Sequence, residues 1–385
     1  MAHGRTGLGI FLFGMGGTLA IACGGDDTTN PATGDAGSDV TALDSNVPDT
    51  STGADTSTPA DTGTADTGTD TGHDSGTFDR GPTTLPFNGD PNGVFWDPGV
   101  NQALYISDSA NNSIQRWTDG AGFSVAAALP ALDPLPDGGA ATPTLGQVIR
   151  LLDGTLLVTR FGFGAYGAIV VVSPNGDAGV VTGIVDGGPV PLGVKKRRIG
   201  LAMLADGTIV DTYFTATPDG GPRVGAVAKV NLLAGTEKDF ITGLSKPIGV
   251  TQGLDSRLFV TDQDTSYLIA STTNGGAFVD PDAGLDAGVD AADADAATVD
   301  AGPQPSIFAN IPSPDLICPG PDGTFFAGSA AGTVYQISKT GAVTAFQTGL
   351  KSARGCAYDG AHTRLFVVEE DPAKTASAIR IFPVN

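Results

Sequence analysis

The 385-residue chain contains 56 glycines and carries 42 acidic against 20 basic side chains, a formal charge of −22. Nineteen of those acids lie in two segments, 26–79 and 280–300, that contain no Lys, Arg or Glu, and outside them and Arg5 stand 23 acids and 19 bases. The main body is thus expected to have neither a strongly acidic nor a strongly basic field. With only His362 beyond residue 73 among three histidines, a His-ligated zinc site or a serine triad would have to rest on one ring.

Arg5 precedes an apolar, glycine-rich run from Leu8 to Ala22, short for a bilayer span and shaped like a secretory leader. Its end, Leu19-Ala20-Ile21-Ala22-Cys23-Gly24-Gly25, resembles the lipobox of bacterial lipoproteins, although Ala20 stands where Leu is usual. The resemblance implies a signal peptide over 1–22, lipidation at Cys23, export, and attachment to the bacterial cell envelope at the outer membrane or cell surface. Ordinary signal cleavage is the alternative. Residues 23–77, rich in Asp, Thr and Gly, have too little apolar mass to offset ordering entropy and read as a disordered tether. About 55 such residues give a root-mean-square reach of roughly 40 Å.

From residue 78 a phrase repeats: a small residue and a short apolar run, a turn, then a β-rich run closing on a polar residue. Copies start at Gly93, Gly146, Gly200, Gly249, Leu316 and Gly355. Six copies about 40–50 residues apart, split by Gly, Pro, Asp and Asn turns, predict an all-β, six-bladed β-propeller over 78–385. Outer strands are expected at 123–129, 180–184, 240–244, 307–311 and 346–350. The sixth blade runs out of chain after its third strand, so residues 78–87 are expected to supply its outer strand and close the ring. An Asp/Ala-rich insertion is expected at about 280–303 in blade four.

Leu104-Tyr105-Ile106-Ser107-Asp108-Ser109-Ala110-Asn111-Asn112-Ser113-Ile114-Gln115-Arg116-Trp117 resembles an NHL repeat, and the gluconolactonase/regucalcin-like six-bladed propellers share this broad pattern across 78–385. NHL propellers are mostly binding modules, whereas the gluconolactonase-like ones hydrolyse lactones at a central divalent metal. The latter typically open the first blade with a metal-binding Glu before Gly; here Asn92 stands there. The lactonase reading would gather Asp108, Asp262 and Glu369 around Ca²⁺ beside Asn92.

The residues closing each second strand, Asp108, Arg160, Tyr213, Asp262, Ser329 and Glu369, are expected to ring one channel mouth, with the Asp residues as turn caps or as ligands. Long connections on that face of blades one to three, at 130–143, 161–167, 185–198 and 214–225, bring together Phe161, Phe163, Tyr166, Tyr213 and Phe214. They bring these together with Arg160, Arg223 and the run Lys195, Lys196, Arg197, Arg198. The favoured reading is a non-catalytic binding module without a cofactor, a monomer held at the membrane by its N-terminal lipid. Its partner is a protein or an anionic glycan, and export argues against nucleic acid. Cys318 and Cys356 fall early in adjacent inner strands, and either a disulfide or two buried thiols fits that placement.

Overall fold

The computed structural model describes residues 82–99, 102–132, 144–161, 167–180, 182–185, 188–191, 196–215, 222–281 and 304–384. The expected leader, Cys23, the tether and the centre of the insertion lie outside them. Six antiparallel sheets stand in sequence order, each built inner strand first. Blade one comprises Pro91–Asp97, Ala103–Asp108, Ser113–Thr118 and Gly122–Ala128, and blade two Leu145–Arg150, Leu156–Arg160, Ala168–Val172 and Ala178–Val180. Blade three comprises Arg197–Met203, Ile209–Thr215, Val224–Asn231 and Thr236–Leu244; blade four Pro247–Gln252, Leu258–Asp262, Tyr267–Ser271 and Ser306–Asn310. Blade five comprises Pro314–Pro319, Phe325–Ser329, Thr333–Ile337 and Val343–Gln347, and blade six Ala353–Asp359, Arg364–Glu369 and Ser377–Pro383.

The outer strand of blade six is Thr83–Phe87, antiparallel to Ser377–Pro383 from the Thr83–Ile381 to the Phe87–Ser377 pairs. The fold is the all-β, six-bladed propeller with its last blade closed by the N-terminal strand. Local details differ from expectation. Blade two's outer strand ends at Val180, and Thr182–Val185 pairs instead with Gly188–Pro191 in a separate hairpin. A two-residue strand, Gly276–Ala277, adds in parallel to the outer edge of blade three.

The recurring glycine has a steric cause. A Cβ on Gly93 would lie 2.4 Å from the Gly146 carbonyl oxygen, one on Gly146 the same distance from that of Ile199, and one on Gly200 the same from that of Ile248. Inner strands of successive blades meet at these points. A hydroxyl on the second strand locks four of the junctions: Ser107 accepts from Gly93 N–H and donates to the Gly146 carbonyl at 2.7 Å. Thr212 does the same between Gly200 and Ile248, and Thr261 between Gly249 and Asp315. Thr159 donates to Ile199 at 2.6 Å. Each such buried bond contributes about 1 kcal/mol, and leaving its partners unpaired would cost more. In blade five Gly328 replaces the hydroxyl, and a Cβ there would lie 2.2 Å from the Arg354 carbonyl oxygen; in blade six Val368 takes the position.

Between blades the core is aromatic and aliphatic. Trp96 stacks on Phe366 at 5.2 Å across the seam of blades one and six, and Phe259 meets Phe325 at 4.3 Å between blades four and five. The upper face is defined here as the one at which inner strands begin and second strands end.

Candidate functional site

The residue before the repeated glycine stands at the upper mouth of the channel, because the strand starts there and its neighbour is pinned against the next blade. Asn92, Ile199, Ile248 and Arg354 occupy that position and Asp315 takes it in blade five, whereas Leu145 of blade two is buried in the core. With Lys246, Phe161 and Glu370 they line a cup of about 200 Å³.

Its charges are unevenly paired. Arg354 donates to Asp315 at 2.8 Å and also to Glu370. Burial opposes the charge on Arg354, but those two carboxylates outweigh it and hold the guanidinium above its ordinary value. The Lys246 ammonium, half-buried, bonds the neutral Gln263 side chain and lies 5.8 Å from the centre of the Phe214 ring. Among the described residues no carboxylate comes within 4 Å of it. Burial, helped by Arg223 and Arg354, depresses its pKa against the opposing pull of Asp264 and Asp315. Asn92 donates to the Leu145 carbonyl at 2.8 Å, while its Oδ1 is buried with no partner among the described residues.

The strand-end carboxylates prove to be caps. Asp108 accepts from Asp90 N–H at 3.0 Å and from Asn111 at 2.7 Å, and Asp262 from the N–H groups of Ser245 and Lys246 at 2.7 and 3.0 Å. Glu369 accepts from Lys351 N–H at 3.0 Å and from Arg380 at 3.4 Å. These three carboxylates are spent on the loops that lead into their own blades, so the expected Ca²⁺ set of Asn92, Asp108, Asp262 and Glu369 does not assemble. Among the described residues no three Asp, Glu, His or Cys side chains converge. Of the carboxylates that do line the mouth, Asp315 and Glu370 share Arg354, whose charge repels a divalent cation, and Asp90 is paired with Lys374 at 2.8 Å. The donor set does not fit the metal centre implied by the resemblance.

The cationic loop reading is corrected at several positions. Arg198 is fully buried, paired with Asp211 and, at 2.6 Å, with Glu237. Lys196 lies 2.9 Å from Glu237 and 3.5 Å over the Tyr213 ring, and the Tyr213 hydroxyl donates to Asp239 at 2.6 Å. The two-residue strand period puts Lys196 and Arg198 on one side, against acids of their own blade, with Arg197 on the other. Arg160 is 2 % exposed and donates to Asn112 and to the Pro130 carbonyl at 2.6 Å, which ties blade two to blade one instead of facing solvent. Arg223 pairs with Asp264 at 2.6 Å. Phe161 and Phe214 do meet, 6.0 Å apart, with Arg197 5.6 Å from the Phe161 ring. Phe163, Tyr166 and Lys195 lie outside the described residues. Cys318 and Cys356 form a disulfide with Cα atoms 5.7 Å apart. His362 bonds Asp359 at 2.7 Å in its turn on the opposite face, away from the mouth.

Sequence reasoning missed Lys246, Asp315 and Arg354. The position before the repeated glycine, used for Asn92 alone, would have found Arg354, and Asp315 through its offset in blade five. Lys246 carries no such signal, because it precedes Pro247 and reaches the mouth from the loop.

No protein-family profile and no curated protein matches this sequence. Solved structures do. A gluconolactonase from Xanthomonas campestris superposes with a TM-score of 0.54 at 17 % identity, covering 79 % of this chain and 89 % of that one. A luciferin-regenerating enzyme gives 0.56 at 11 % identity over 79 % and 95 %, and the calcium-binding protein regucalcin from Agrobacterium tumefaciens 0.53 at 12 % over 78 % and 94 %. The chain has the fold of the gluconolactonase- and regucalcin-like propellers. At these identities the likeness is one of architecture alone.

Proposed function

We propose that this protein is an exported, lipid-anchored binding module that takes an anionic ligand, an acidic glycan foremost, at the upper mouth without turning it over. The observation that carries the reading is Lys246, an ammonium in a concave site whose described partners are neutral. Its neighbour Phe161, which lines the cup, offers a ring face for a sugar, and Asn92 Oδ1 offers an acceptor for a hydroxyl. The ligand replaces water around a charge that the fold has already partly desolvated. Titration calorimetry with uronate oligosaccharides tests this. Lys246→Ala is expected to weaken binding about tenfold or more, roughly 1.4 kcal/mol, and the wild-type affinity to fall as salt rises. Equal affinity for the variant, or no uronate binding by the wild type, overturns the reading.

The attachment rests on the leader and Cys23. Cys23→Ser is expected to move the protein out of the membrane fraction with its melting temperature unchanged, and retention of the variant in that fraction would contradict lipidation. The likeness to the Xanthomonas gluconolactonase favours a second reading, a metal-assisted sugar-lactone hydrolase. Stoichiometric divalent metal in the purified protein, together with lactone hydrolysis abolished by EDTA, would replace the binding reading with that one.

A further inference from the structure

Below the mouth the six inner strands enclose a second, larger cavity of about 540 Å³. Ile199 and Ile248, which line the upper cup, pack with Leu316, which lines the lower cavity, and this apolar layer stands between the two. The lower wall is largely aliphatic and aromatic, with Val94, Trp96, Leu201, Met203, Val250 and Ile317. Among the described residues one charged side chain, Arg150, reaches it, and Asp97 neutralises that charge at 3.0 Å. An ionised ligand would be desolvated there without a counter-charge, so the chemistry selects an uncharged, apolar occupant. The volume lies within the range of sites that hold drug-sized molecules.

The face onto which this cavity opens carries a second signal. Leu254 lines the cavity at a turn of blade four and is 82 % exposed. Leu152 and Leu233, on turns of blades two and three that strand direction places on the same face, are also almost wholly exposed. Thr83–Phe87 runs upward beside Ser377–Pro383, so the chain before Thr83 joins the body at this lower face too.

We propose that the lower cavity binds a long alkyl chain, such as the acyl chain of a neutral lipid, inserted from the face that bears Leu152, Leu233 and Leu254. This inference is independent of the mouth and of its ligand. Trp96 reports on it, because the chain has two tryptophans and Trp117→Phe leaves Trp96 as the single emitter. The probe is a monoacylglycerol brominated in mid-chain, offered to the full-length protein as monomer in one arm and within phosphatidylcholine vesicles in the other. Saturable loss of most of the Trp96 emission is expected. A monomer response identifies a free lipid as the source, and a response to vesicles alone identifies a bilayer. Ala202→Phe, which takes up part of the cavity, is expected to weaken quenching. Leu254→Asp, which places a carboxylate at an exposed rim position with little bearing on folding, is expected to weaken it severalfold. Absence of saturable quenching in both arms, or quenching unchanged in the folded Leu254→Asp protein, overturns the proposal.

Discussion

Asp371 shows how one side chain fixes a loop at the mouth. It accepts from Lys351 at 3.0 Å, from the Thr375 hydroxyl at 2.8 Å and from the N–H groups of Ala373 and Ala376, so the 370–376 loop is folded around a carboxylate. The bonds from Lys351 and Thr375 hold Asp371 well below the usual carboxylate range. Its folded pKa is depressed, so its stabilisation is present above the unfolded value of about 3.9 and is lost as pH falls from there toward the folded one. Urea midpoints measured between about pH 5 and pH 2 are expected to fall, and Asp371→Asn to flatten that fall while lowering the midpoint at pH 7. Parallel profiles would show that the acid sensitivity arises elsewhere. The adjacent Glu370 points at Arg354, so loosening this loop also disturbs the upper cup. None of this was visible beforehand: an Asp in a seven-residue loop reads as solvated, and only the meeting of Lys351 with three turn donors gives it a role.

At the scale of strands, most of the architecture was legible because period-two burial and turn residues recur six times. The recurring glycine marked where inner strands start, while the junction role of Ser107, Thr159, Thr212 and Thr261 came only from the structure. What was not legible followed from local competition. Residues 180–184 have the composition of an outer strand, yet Thr182–Val185 prefers its own hairpin partner, and the short Gly276–Ala277 strand forms only because an outer edge stands beside it. Likewise Arg198 sits within a basic run but is buried by strand alternation. The closing strand permits a direct test. Deletion of 24–70 spares Thr83–Phe87 and is expected to leave melting unchanged. Deletion of 24–90 removes five ladder pairs and Phe87, which is buried against Phe123 at 5.2 Å. Burial of Phe87 alone contributes about 1.5–3 kcal/mol, so the longer deletion is expected to destabilise by at least that amount. Equal melting temperatures for the two deletions would remove the strand's structural role.

For the whole molecule, the ring is most vulnerable at blade six, the one blade assembled from both ends of the chain. On one side the Cys318–Cys356 disulfide joins its inner strand to that of blade five, 38 residues apart in sequence, and Arg354 bonds Asp315 beside it. On the other, Lys374 meets Asp90 and Arg364 meets Asp119, both at 2.8 Å, alongside the Trp96–Phe366 stack. The surface ion pairs contribute little individually, so closure depends on the disulfide, the N-terminal strand and the aromatic seam. Replacing both cysteines by Ala is expected to cost about 2–4 kcal/mol, measured by urea unfolding. The disulfide and the N-terminal strand restrain the same blade, and with either present blade six cannot leave the ring without breaking a strong constraint. With both absent it can open as a unit. The double-cysteine variant combined with deletion of 24–90 is therefore expected to lose more stability than the sum of the separate losses, and hydrogen exchange to show early deprotection confined to 353–383. Additive losses with uniform exchange would mean that the propeller unfolds as one cooperative body and that its closure lies in the ring as a whole.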